Sequence, residues 1–76
     1  MTSQELARFN LALKVAILAS GQTQRQIAKR VRIDETRLSR IVRGQVVPFP
    51  SERRALAKVL QRVEVELFPP RIEAVA

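Results

Sequence analysis

The chain has 76 residues, with 14 Lys and Arg against 7 Asp and Glu, a formal net charge of +7, and neither Cys nor His. That length gives room for one small domain whose core is too limited to line a deep catalytic cavity. The composition excludes disulfide staples, Cys/His metal sites, histidine general bases and cysteine nucleophiles, so no catalytic residue, metal or cofactor is expected. Arginine outnumbers lysine eleven to three; a planar guanidinium pairs bidentately with phosphates and guanine edges, which favours nucleic acid over an anionic membrane as the polyanion partner. The charge is uneven along the chain. Residues 23–43 hold seven basic and two acidic groups, residues 63–76 one basic and three acidic, which puts the polyanion-binding face in the middle. With no cysteine and no sign of export, the cytoplasm is the default compartment.

In chain order, Thr2 followed by Glu5 fits a capping box that opens a first helix running to about Ser20 and stopping at Gly21. Leu6, Phe9, Leu13, Ala16 and Ile17 form its apolar stripe. The run Leu11 to Ala19 is too short to span a bilayer and is interrupted by Lys14, so neither a membrane segment nor a signal peptide is expected. Leu11, Val15 and Leu18 fall off the stripe and leave the helix apolar nearly all round.

Thr23 with Gln26 repeats the capping-box pattern and starts a second helix with Ile27 and Val31 on one face. Asp34 is an N-cap for a third helix that buries Leu38, Ile41 and Val42 and ends at Gly44. Only Arg32, Ile33 and Asp34 separate the two, which demands a tight turn. The prolines of "QVVPFP" stop helix continuation, and Ser51 is a plausible N-cap for a fourth helix with Ala55, Leu56, Val59 and Leu60 inward. "RVEVELFPP" reads either as a last helical turn, with Leu67 and Phe68 closing the core, or as a strand with Val63, Val65 and Leu67 on one face. The domain spans 1–69, followed by a loose tail at 70–76. No internal repeat or low-complexity tract is visible.

Taken together, Thr23-Gln24, Ile27-Ala28, Val31, Ile33, Leu38-Ser39-Arg40-Ile41 and Gly44 resemble the helix-turn-helix of the Cro/C1-type (XRE) repressors, and the resemblance extends through Pro48 and Leu56 to Pro69. It implies an all-α, lambda-repressor-like bundle of four to five short helices. The spacing has its own physical logic, since a small residue at Ala28 lets the third helix cross closely over the second while the aliphatics converge beneath the crossing. Two positions depart from the family pattern. Arg32 stands where the family places a glycine, because the turn needs positive φ there, and Gln61-Arg62 stands where a glycine-aliphatic pair is common.

The resemblance also implies a role for each residue. The third helix would enter the major groove with Glu35, Thr36, Arg37, Ser39 and Arg40 toward base edges. Arg40 would fork to guanine and Thr36 would touch a thymine methyl; Glu35 would accept from cytosine or simply favour the helix dipole. Arg37 would serve either a base or a phosphate. Thr23 and Gln24 at the start of the second helix, with Arg43 and Gln45 beyond the third, would hold the phosphate backbone. Arg25, Lys29 and Arg30 read as solvated charge.

Such units bind as two-fold dimers. The pairing surface is expected at Val63, Val65, Leu67 and Phe68, with the outer side of the first helix as the other candidate unless the N-terminal arm covers it. The expected partners are double-stranded DNA and a second copy, with no membrane and no small-molecule substrate. The function implied is a sequence-specific regulator, a repressor on a pseudo-palindromic operator; the alternative is an antitoxin-like interaction module that also binds DNA.

Overall fold

The computed structural model describes residues 10–69, and these form five α-helices and no strand. The capping box at Thr2 and Glu5, the stripe positions Leu6 and Phe9, and the tail at 70–76 lie outside the described residues. We label the helices α1 (Leu11–Ala19), α2 (Gln24–Val31), α3 (Glu35–Val42), α4 (Pro50–Leu60) and α5 (Glu64–Leu67). The last resolves the helix-or-strand ambiguity at Val63 to Leu67 in favour of the helical turn.

The expected continuous helix from Thr2 is interrupted, because Asn10 leaves helical geometry and caps α1. Its side-chain oxygen accepts from the Leu13 N–H (3.0 Å), satisfying a donor that a helix N-terminus otherwise orphans. The same residue binds outward in two directions. Its backbone N–H donates to the carbonyl of Val42 at the end of α3 (2.8 Å), and its side-chain amide donates to the carbonyl of Leu67 at the end of α5 (2.8 Å). At the other end, the Ser20 hydroxyl donates to Ile17 O (2.6 Å) and Gly21 turns the chain with φ of 74°.

α2 opens with the reciprocal bonds its sequence predicts: Gln26 N–H to Thr23 Oγ1 (3.1 Å) and Thr23 N–H to Gln26 Oε1 (2.9 Å). Asp34 holds the N-cap position of α3, but its side chain accepts no capping bond. The start of α4 is shifted from expectation. Phe49, not Ser51, is its N-cap and Pro50 its first residue, where the fixed φ suits a helix and the missing N–H costs nothing. The phenyl ring cannot cap, so the end is closed from inside by Glu52, whose carboxylate accepts from Phe49 N–H (2.7 Å).

α2 packs on α3 and α4, and α5 joins α1 to α4. Leu13, Ile27, Leu38, Val42, Leu56 and Leu67 are the largest fully buried side chains, and no buried residue among those described is polar or charged. Among the described residues the charged side chains are therefore kept out of the core.

The structure reveals an internal repeat that residue identity hides. Ile27-Ala28-Lys29 and Leu56-Ala57-Lys58 occupy equivalent places 29 positions apart on α2 and α4. Each helix ends in a non-glycine residue in the left-handed region, Arg32 (φ 61°, ψ 44°) and Gln61 (φ 56°, ψ 44°). The closing bonds match: Ile33 N–H to Ala28 O and Arg62 N–H to Ala57 O, both 3.0 Å, backed by Arg32 to Lys29 and Gln61 to Lys58, both 3.3 Å. These are Schellman closures, which satisfy carbonyls that a helix C-terminus leaves free. The next N-caps, Asp34 and Val63, lead into helices that bury Leu38 and Leu67. Both departures from the family pattern thus fall on the residues that carry positive φ, at a cost of about 1–2 kcal/mol for a side chain in that region.

Candidate nucleic-acid interface

α3 buries Leu38, Ile41 and Val42 on one side, and helical spacing then turns Thr36, Arg40 and Arg43 to the other. On that outer side a shallow depression is lined by Glu35, Thr36, Ser39, Arg40, Arg43 and Gln45. Four of the five residues expected at base edges, and two of the four expected at phosphates, are thereby brought to one surface. All are exposed except the half-buried Ser39. Gly44 (φ 74°) makes this possible at the C-terminal end, since its left-handed turn lets Gln45 N–H bond Arg40 O (2.9 Å) and folds Gln45 back beside Arg43.

Thr23 and Gln24 stand apart from that depression, at the N-terminus of α2. The Thr23 hydroxyl accepts from Gln26 N–H, and its own proton stays available to donate. The first-turn N–H groups and the positive end of the helix dipole make this terminus suited to an anion.

Arg37 differs from its expectation. It does not line the depression but turns sideways onto α4, where Nε and an η nitrogen fork onto the two carboxylate oxygens of Glu52 (2.7 and 2.8 Å). The guanidinium also lies 4.8 Å from the centroid of the Phe49 ring, within cation–π range. The two hydrogen bonds from Arg37 hold the Glu52 carboxyl below the usual glutamate range against the opposing effect of burial, with the Phe49 N–H assisting. Glu52 therefore closes the start of α4 and clamps α3 to it at once. Sequence reasoning missed this clamp: the spacing of Phe49 to Glu52 carries the signal for the cap, but nothing local links Glu52 to a residue 15 positions earlier.

At the base of the fold, Leu67 is 1% exposed and belongs to the core, Phe68 is partly buried against it, and Val63 and Val65 are each 57% exposed. Leu11, Val15 and Leu18 are likewise exposed, opposite the buried side of α1. No helix among the described residues is long and apolar enough to cross a membrane.

A family model described as a helix-turn-helix domain matches residues 12–67. The chain belongs to the helix-turn-helix domain family. The match covers all of α2 to α5 and nearly all of α1, is consistent with the Cro/C1-type resemblance, and supports a DNA-binding regulator. Neither the curated proteins nor the solved structures compared with it give a match. Within this helix-turn-helix domain, α2 and α3 are packed together and the free side of α3 carries polar and cationic groups.

Proposed function

We propose that this helix-turn-helix protein is a sequence-specific transcriptional repressor that binds a pseudo-palindromic operator as a dimer, with α3 in the major groove. The observation that carries the reading is the gathering of Glu35, Thr36, Ser39, Arg40, Arg43 and Gln45 on the free side of α3. Arg40 forks to guanine, Thr36 packs on a thymine methyl, Ser39 donates to a base edge or sugar, and Glu35 selects cytosine. Gln24 and Thr23 hold a phosphate on one side, Arg43 and Gln45 on the other, and so fix the register. Arg37 acts as a strut rather than a reader, setting the angle of α3 through Glu52. The protein works by binding rather than catalysis.

Dimerisation falls to the exposed Val63 and Val65 with the edge of Phe68, while Leu67 supports them from the core. The decisive experiment is selection of bound sequences from random DNA, which yields the half-site and its spacing. On the selected site, Arg40→Ala loses about 1–3 kcal/mol of discrimination, whereas Gln24→Ala weakens all sequences alike. If neither substitution alters binding, α3 is not the reading helix. Affinity falls steeply with salt in an anisotropy titration; a flat response rejects a phosphate-dominated interface. Sedimentation of Val65→Asp against the parent tests the pairing surface.

The second reading, an antitoxin-like module that also binds DNA, is favoured by the exposed Leu11, Val15 and Leu18, an apolar surface beyond what DNA binding needs. A defined partner protein that forms a stoichiometric complex, lost on Val15→Asp, would support it.

A further inference from the structure

α4 packs on α2 and α5 whereas α1 packs on α3 and α5, and between the C-terminal halves of α1 and α4 runs a cleft on a different part of the surface from the DNA-facing side. Its floor is built from small and aliphatic side chains, with Ala19, Ala55 and Val59 over the buried Ala16 and Leu60 and with Ser20 at one edge. Its rim carries three cations, Arg30, Lys58 and Arg62, with Gln22 and Gln61 between them. No carboxylate among the described residues lines it. Arg30 is exposed and donates to a neutral partner, the side-chain amide oxygen of Gln22 (Oε1, 2.8 Å), while Arg62 approaches Glu66 only at 3.8 Å on the exposed surface.

Arg30 and Lys58 stand in the last turns of α2 and α4, where a cation also favours the helix dipole. That accounts for their presence but not for their convergence over one trough whose described lining residues include no acid. We propose that this cleft is a docking site for an acidic, amphipathic segment of a partner protein, one that lays small apolar side chains on the Ala19–Ala55–Val59 floor and sets carboxylates against Arg30 and Lys58. The apolar floor selects such a segment over a bare phosphate or a nucleic acid strand, which would leave the floor unused. No residue of the cleft is among those proposed to touch DNA, although Gln22 borders the phosphate contacts Thr23 and Gln24, so the site suits a protein that acts on the regulator while it sits on its operator.

The test uses the full chain, isotopically labelled, titrated with a short synthetic peptide of Glu, Leu and Ala in amphipathic order, with polyglutamate of equal charge as comparison. The expected result is amide shifts clustered at Ala19, Gln22, Arg30, Ala55 and Lys58, and binding weakened roughly tenfold or more in Arg30→Gln/Lys58→Gln. That variant should lower the melting temperature by only a few degrees, the loss of two favourable helix-dipole charges, and keep the parent's operator preference. Shifts confined to Thr36, Arg40 and Arg43, equal binding of polyglutamate, or no binding at all would each overturn the proposal. So would cleft shifts that appear on raising the protein concentration without peptide, which would make the occupant a second copy.

Discussion

From Ile27 to Leu38, and again from Leu56 to Leu67, the chain runs through a helix, a left-handed residue, an N-cap and a second helix that drops a leucine into the core. The two pairs share the alanine that accepts the closing bond, the lysine after it and the same hydrogen-bond lengths. They differ outside. α3 has eight residues and shows Arg40 and Arg43, whereas α5 has four and shows Glu64 and Glu66 among exposed valines. Burial and backbone geometry thus make the turn, and they do so twice. The length and surface charge of the second helix decide which pair can face a polyanion and which cannot.

Substitutions at equivalent positions test how far the likeness goes. The largest effect is expected in the core: Leu38→Ala and Leu67→Ala, at 0% and 1% exposure, should each cost about 2–5 kcal/mol in chemical denaturation. A much smaller loss at Leu67 would show that α5 is merely appended. Next comes Asn10, which bonds the end of both second helices. Asn10→Ala removes the α1 cap and the bond to Leu67 O and should cost about 2 kcal/mol. Asn10→Asp keeps the cap but sets an acceptor against that carbonyl, so it should rescue little. A rescue to the parent's stability would mean the Leu67 bond contributes nothing.

Smaller effects separate the turns. Arg32→Gly and Gln61→Gly relieve side-chain strain at positive φ but loosen the unfolded chain, leaving a net gain of roughly 0.5 kcal/mol each. If only one stabilises, the two closures are not equivalent in energy. The smallest is a pH effect found in one pair alone. Glu52 has its carboxyl lowered by Arg37, so its contribution is fully present above the ordinary glutamate value and is lost as pH falls through the lowered folded one. Glu52→Gln should therefore flatten stability against pH on the acid side. An unchanged acid limb would show that the clamp does not stabilise the fold.

The sequence carried much of this. The helical period placed Leu13, Ile17, Ile27, Leu38, Ile41 and Leu56 inside, and the reciprocal spacing of Thr23 and Gln26 named a cap that the structure contains. Arg32 was legible as a left-handed residue because it stands where the family it resembles places a glycine. What stayed hidden depends on partners far along the chain. Asn10 reads as an ordinary helical residue until Val42 and Leu67 are folded next to it. Arg37 reads as one more outward cation until Glu52 arrives from α4. The repeat escaped notice because only positions under physical constraint are alike, and the surface between them differs in charge.

Asn10 also bears on how the domain opens. A four-residue helix near a chain end would ordinarily fray on its own, exchanging its amide hydrogens freely. Here the carbonyl that ends α5 and the carbonyl that ends α3 are held by one residue at the entrance to α1. That residue ties three helices together through two hydrogen bonds. Slow amides in α3 and α5 should accordingly share one opening free energy, and the helix proposed to read DNA would keep its alignment for as long as the shortest helix stays closed.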